Sequence, residues 1–305
     1  MKLKTLNYFI RKTKRLSKKY NNKTLTKIYW YLESKKMERV FETLSALPIV
    51  PIDNLHHDVC DNIDNAIWIC WLQGIEKSPE IVRQCISSIH RNSGGRQVVI
   101  IDENNFKNYA IISEAIYSKF KMGLIGGAHF SDILRCALLS RHGGTWVDAT
   151  IYLTRSLSSN FTNRSFYSLR FDVKPKVFAI SQGLWVTYLL SCEKSNEYIT
   201  KIYSMLISYW SNHDVAIDYF LLDYIMRFHF EKNAKIKSMV LLQKINGNER
   251  FFLRDNLDAP INNHVRDKVN SDEVGVYKLT YKGNRVSKKG NVPTLYQEII
   301  NGYIL

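Results

Sequence analysis

The sequence predicts an α/β fold, a largely parallel sheet covered by helices, with a basic helical arm ahead of it. Three observations predict this. Two short apolar runs, 66–72 (AIWICWL) and 98–102 (VVIID), flank an amphipathic helical stretch. The double glycine Gly143-Gly144 joins an apolar helix to another run of strand formers. The positive charge is gathered in residues 1–40 and not spread along the chain.

The run 66–72 is rich in β-formers and is stopped by Gln73-Gly74, so it reads as a buried strand. Pro79 opens a helix over 80–90 that places Ile81, Val82, Cys85, Ile86 and Ile89 on one side. Asn92-Ser93-Gly94-Gly95 is a turn, and 98–102 is a second buried strand. Two strands joined by a helix of this length form a parallel crossover unit. Helices follow over 113–120 and 131–141, the latter with Ser131 as its N-cap, and then a strand over 145–148. Strands are expected near 165–170, 177–181 and 184–190, and helices over 196–210 and 217–230. Residues 231–305 read as loops with short elements.

The arm carries Leu3, Leu6 and Ile10 at helical spacing, and a second helix runs from about residue 24 to Pro48. The expected division is an arm over 1–58 and a main domain over 59–305. Residues 1–40 hold 13 Lys/Arg against Glu33 and Glu38, which accounts for most of the chain's net charge of +15. Such an arm suits a solvated helical hairpin, an anionic membrane surface or nucleic acid. No nucleic-acid module accompanies it, so no nucleic-acid partner is expected.

A chain of 305 residues with 45% hydrophobic content can bury a sizeable core, which excludes a disordered protein. The five cysteines, at 60, 70, 85, 136 and 192, are odd in number and lack C-x-x-C spacing. Zinc-finger and disulfide frameworks are therefore not expected, and reduced cytoplasmic thiols fit. No apolar run approaches the roughly 18–20 residues that span a bilayer, and the opening Met1-Lys2-Leu3-Lys4 lacks a signal-peptide core. A cytoplasmic protein is expected.

In a parallel sheet, ligands bind beyond the carboxyl ends of the strands. Trp71-Leu72-Gln73-Gly74, Asp102 and Asp148-Ala149-Thr150 all fall at such ends. Asp148 either caps a turn or holds a hard divalent cation such as Mg²⁺ or Mn²⁺ that neutralises a diphosphate. Asp132 and Arg135, three apart, share a helix face. They make either a surface ion pair or a pair of groups for hydroxyl and phosphate oxygens. Trp71 and Trp146 are candidates to stack on a base, whereas Trp68 reads as core.

The run Ala128-His129-Phe130-Ser131-Asp132-Ile133-Leu134-Arg135, followed by Gly143-Gly144-Thr145-Trp146-Val147-Asp148-Ala149-Thr150, resembles the capsular polysaccharide synthesis proteins. These are relatives of glycosyltransferases with a DxD sugar signature, in the manner of glycosyltransferase family 32. The opening 68–74 and the late Lys278-Leu279-Thr280-Tyr281-Lys282 share the resemblance, which covers roughly 65–285. It implies a Rossmann-like GT-A fold that moves a sugar from a nucleotide sugar, UDP-linked by expectation, to an acceptor hydroxyl in bacterial surface polysaccharide synthesis.

Carried over by position, the resemblance has Trp71 stack on the base and Trp146 line the ribose side. Gln73, Ser131, Asp132, Arg135 and Lys278 join the donor site, with Asp132, Arg135 and Asp148 as catalytic residues. Asp148 becomes the first carboxylate of the DxD signature and a metal ligand, with Thr150 at the second position. That departure leaves two readings: a metal held by Asp148 with a further ligand from Asp255, Asp258 or His264, or a weak dependence on metal. The donor site leans toward retention of anomeric configuration. Asp218, Tyr219 and Asp223 are acceptor-side candidates on one helix, where Asp218 and Tyr219 cannot share a face. The implied acceptor is a lipid-linked saccharide, which would place the protein on the inner face of the membrane through residues 1–40. Two other readings stay open: a non-catalytic nucleotide-sugar-binding protein, prompted by Thr150, and a nucleic-acid-binding protein.

Overall fold

The computed structural model describes residues 3–51, 63–157, 164–173 and 178–302. Two helices, α1 (Leu3–Tyr20) and α2 (Lys23–Ser45), form an antiparallel hairpin. Asn22 caps α2 by accepting from the Leu25 amide at 3.0 Å. The hairpin has a small core of its own in Leu6, Ile10 and Tyr29. Further along α2, Val40 and Leu44 enter the main hydrophobic core, so the arm is joined to the body by packing.

The body is built on a five-stranded sheet ordered β2-β1-β3-β6-β5. These strands are β1 (Ile67–Cys70), β2 (Val98–Ile101), β3 (Gly144–Val147), β5 (Phe166–Ser168) and β6 (Leu189–Cys192). β2, β1 and β3 are parallel, while β6 pairs antiparallel with both neighbours. The sheet is thus rich in parallel pairs but mixed, because β6 runs against the others. A separate ribbon pairs β4 (Ile151–Leu153) with β7 (Val276–Lys278).

Alternation along β1 divides the core. Trp68 faces one layer, with α5 (Gly127–His142), α6 (Glu197–Asn212) and α7 (Leu221–Lys232). Ile67 and Ile69 face the other, with α3 (Glu80–Arg91) and the β4–β7 ribbon. The expected crossover helix is therefore present, and Ile81, Val82, Cys85, Ile86 and Ile89 are its buried face. The remaining elements are α4 (Glu114–Lys121), α8 (Ala234–Leu241), α9 (Phe252–Asp255), α10 (Asn263–Ser271), α11 (Leu295–Ile300) and the short pair β8 (Lys288–Lys289) and β9 (Val292–Pro293).

Several local expectations change. α5 begins at Gly127 with Gly126 as its N-cap, so Ser131 lies a turn inside the helix. Residues 178–181 are not a strand, and residue 177 lies outside the described set. The strand expected over 184–190 is displaced to β6. α7 starts at Leu221, leaving Asp218 and Tyr219 in the loop before it.

The double glycine is a steric requirement. Both residues have positive φ, 68° at Gly143 and 88° at Gly144. A Cβ on Gly143 would fall 2.6 Å from the Lys194 nitrogen, and one on Gly144 would collide with the backbone of Ala66. The glycines let α5 reverse directly into β3, the strand that ends at Asp148.

Candidate active site

β1 and β3 are neighbours in the sheet, so Trp71 and Asp148 leave its carboxyl edge side by side. Asp148 stands in a tight turn, its amide donating to the Tyr188 carbonyl at 3.0 Å and its own carbonyl accepting from Ile151 at 2.8 Å. The β4–β7 ribbon sets Lys278 opposite Ile151, and the Leu279 amide donates to the Thr150 carbonyl at 2.9 Å. From the helical layer, α5 brings Asp132 and Arg135, one turn apart, over the end of β3.

These side chains form one network. The Arg135 guanidinium donates to Asp132 Oδ1 at 2.8 Å and to Asp148 Oδ1 at 3.1 Å. It also lies 4.8 Å from the centre of the Trp146 ring. Trp146 Nε1 donates to Asp148 Oδ1 at 2.9 Å, and Lys278 Nζ to Asp148 Oδ2 at 2.7 Å. Both oxygens of Asp148 are therefore engaged by donors.

The two carboxylates are driven apart electrostatically. Burial penalises ionisation of Asp148, but Lys278 and Arg135 outweigh it and hold its carboxyl well below the usual range. Burial dominates at Asp132 and, with the charges of Asp148 and Asp223, pushes its carboxyl up to about 7 despite Arg135. Asp223, also raised by burial, sits at about 6 while accepting from Trp185 Nε1 at 3.0 Å.

The network floors a cleft of about 480 Å³. Of the residues expected from sequence, Trp71, Ser131, Asp132, Arg135, Asp148, Thr150, Tyr219, Asp223 and Lys278 line it. Gln73 lines an adjoining depression that shares Trp71 and Ser131 with the cleft. Trp146 does not line it: the ring is 1% exposed, locked between the sheet and α5, and its part is to hold Asp148 and support Arg135. Ser131 is in hydrogen-bond contact with the Cys70 thiol.

Asp218 is turned away, onto Lys36 of α2 at 2.5 Å. It borders a second cavity of about 380 Å³ together with Lys14, Tyr29, Glu33 and Lys36. Tyr219, Phe220 and Asp223 line both cavities. Asp218 and Tyr219 lie in a loop and not on the helix, so helix faces do not separate them; in the cleft Tyr219 accompanies Asp223 and Asp218 does not.

Sequence reasoning missed Tyr281, which meets Trp71 edge-to-face at 5.4 Å, and Tyr188, whose ring is 5.0 Å from Lys278 Nζ. It also missed Thr187 and Phe220 as lining residues. Tyr281 lay within the late motif, three residues after Lys278, whereas Tyr188 and Thr187 carry no spacing signal.

A divalent cation held by Asp148 and Thr150 is poorly served by this donor set. Asp148 is the one carboxylate at the strand end, and it already receives Lys278, Arg135 and Trp146. Asp132 is bound to Arg135 and Asp223 to Trp185. Asp255 and Asp258 pair with Arg254 and Arg285, His264 packs on Phe252, and none of the three lines the cleft. Among the described residues no group of three or more His, Cys, Asp or Glu is placed to share a metal.

Residues 13–299 match the family described as capsular polysaccharide synthesis protein. The chain belongs to that family. Over 166 residues it is 25% identical to Glycosyltransferase afumC of Aspergillus fumigatus, covering 51% of this chain and 41% of that protein. The chain thus spans less than half the length of this curated relative. Among solved structures it is similar to PaToxG Glycosyltransferase, with a TM-score of 0.41 and 15% identity over 70% of this chain and 83% of that one.

Proposed function

We propose that this family member is a glycosyltransferase that moves a sugar from a nucleoside diphosphate sugar to a hydroxyl of a saccharide acceptor. The observation that carries the reading is the network at the end of β3, where Arg135 and Lys278 converge on Asp148 at the floor of a cleft. A diphosphate is rich in acceptors and charge, and two clustered cations complement it. Two further donors, Nε of Arg135 and Nε1 of Trp71, belong to residues that line the cleft and are buried without a partner. Unsatisfied buried donors favour an acceptor-rich ligand. The Trp71–Tyr281 pair at the rim offers an aromatic platform for the base, uracil by expectation.

In this reading Asp132 and Ser131 face the donor sugar, and Arg135 spans sugar and phosphate. As the bond from the anomeric carbon to the diphosphate oxygen breaks, Arg135 and Lys278 stabilise the charge that develops. The donor-site resemblance favours retention: the acceptor hydroxyl adds on the face the diphosphate leaves, and its proton passes to the departing phosphate oxygen. The acceptor enters beside Tyr219 and Asp223, where the two cavities meet. The hairpin forms one wall of that approach through Tyr29 and Lys36, which gives the arm a place in acceptor binding.

The acceptor we favour is a lipid-linked saccharide of a bacterial surface polysaccharide. Tyr8, Tyr20, Trp30 and Tyr31 of the hairpin are more than 40% exposed among the arm's lysines and arginines. Exposed aromatic residues among basic ones suit the head-group layer of an anionic membrane. No helix among the described residues is long and apolar enough to cross a membrane, and the attachment we favour is peripheral.

The test is release of nucleoside diphosphate from a panel of UDP- and GDP-sugars, with Asp148→Asn as the control. One donor should be turned over by the wild type and not by the variant. A wild type that binds a donor but never releases its sugar, even to water, would instead be the non-catalytic binding protein.

A further inference from the structure

We infer that the Lys278 ammonium stands where a metal-dependent site would hold its divalent cation, so that the donor's diphosphate is bound without metal. The inference rests on the glycosyl-transfer reading and concerns how the same site manages phosphate charge.

The position of the ammonium is built in. Lys278 Nζ meets Asp148 Oδ2 at 2.7 Å, while Arg135 and Trp146 occupy Oδ1. Its backbone is fixed on both sides: the Lys278 amide donates to the Arg250 carbonyl at 2.7 Å, and Leu279 to Thr150 at 2.9 Å. A paired strand therefore delivers the cation to the carboxylate.

Charge arithmetic points the same way. A divalent cation between two carboxylates is neutral overall, and so is one ammonium on one carboxylate. Replacing an acidic second ligand by Thr150 while placing Lys278 on Asp148 keeps that balance with no ion supplied from solution. A metal arriving at Asp148 would have to displace Lys278 and would then lie beside two positive side chains. Hard cations need several oxygen donors, and here Asp132 and Asp223 are committed to Arg135 and Trp185.

The ammonium has donors to spare. It carries three protons, and among the described side chains Asp148 is its one hydrogen-bond acceptor. Lys278 is only partly buried, with 21% of its side chain exposed, and it lines the cleft. The remaining N–H groups suit phosphate oxygens while the contact with Asp148 keeps the group in place.

The experiment is calorimetric titration of the full chain with UDP, GDP, ADP and dTDP, in EDTA and again with Mn²⁺, for the wild type, Lys278→Ala and Lys278→Arg. The expected result is that one diphosphate binds the wild type in EDTA and that Mn²⁺ changes its Kd by less than about threefold. In EDTA, Lys278→Ala should bind about 10- to 100-fold more weakly, as for loss of a charge-assisted hydrogen bond, and Lys278→Arg should recover most of the loss. A wild type that binds at least about tenfold more tightly with Mn²⁺ overturns the inference and leaves the glycosyl-transfer reading standing. A Lys278→Ala protein that binds like the wild type in EDTA also overturns it. Failure of every diphosphate under both conditions removes the donor-site reading itself and the inference with it. The wild-type comparison decides the metal question even where the variants fold poorly.

Discussion

Arg135→Met tests whether the guanidinium is the shared counter-ion of Asp132 and Asp148. Met keeps an unbranched apolar stem but removes both bonds, at 2.8 and 3.1 Å, from a residue that is 5% exposed. Hydrogen bonds to charged groups contribute about 1.5–3 kcal/mol each, and breaking a buried ion pair from one side costs about 3–5 kcal/mol. A loss of about 3–5 kcal/mol is therefore expected near neutral pH. The loss depends on pH with a definite sign. Without Arg135 both carboxyls are harder to ionise, and protonation relieves the cost, so the deficit is largest at about pH 8 and shrinks toward about pH 5.

The double variant Arg135→Met/Asp132→Asn should be more stable than the sum of the single effects predicts, with a coupling of about 1–3 kcal/mol. Urea denaturation at both pH values measures this. A single variant within about 1 kcal/mol of wild type at pH 8, or strictly additive effects, would show that Arg135 is not the shared counter-ion.

Other outcomes follow from the same structure. Asp132 and Asp223, with carboxyls pushed up to about 7 and about 6, hold protons in the folded state that the unfolded chain has released. Their contribution to stability is complete below the unfolded carboxylate range and is lost as pH rises through those values. The melting temperature should therefore fall between about pH 5 and 8, and less steeply in Asp132→Asn. Gly144→Ala forces a Cβ into the Ala66 backbone at a positive φ and should cost more than about 2 kcal/mol, read by thermal melting against a glycine-free surface control such as Ser93→Ala. Lys36→Met leaves Asp218, with 14% of its side chain exposed, without its ion-pair partner; faster limited proteolysis within residues 3–45 should follow while the body stays resistant. Unchanged cleavage there would mean that packing of Val40 and Leu44 alone secures the hairpin.

How far the site could be read from sequence depends on what kind of contact each residue makes. Asp132, Arg135 and Asp148 lie within 17 residues on one helix–glycine–strand reversal, so local periodicity was enough to bring them together. The double glycine was readable for the same reason, since a reversal from helix to strand with no loop requires backbone freedom. Trp146 shows where local reading stops. Its neighbour Asp148 is partly exposed, and only the register of β3 between β1 and β6 decides that the indole is enclosed. The antiparallel β6 was likewise invisible to a crossover argument, which speaks only for the strands it joins.

Lys278 lies furthest from such reasoning. It is 130 residues from Asp148, and family resemblance named it without saying what it touches. Its contact depends on the β4–β7 ribbon, a pairing set by tertiary packing of two three-residue strands. The same holds for the hairpin. Its charge was plain in the sequence, but that one of its lysines is buried on Asp218 at the entrance shared by two cavities is a fact of packing. The residues that set charge at the floor of the cleft are thus local, while Lys278, which balances that charge, and the hairpin residues that border the second cavity are brought in from both ends of the chain. If the proposed function holds, substitutions near residue 278 or in the arm should therefore alter donor or acceptor handling as directly as changes next to Asp148.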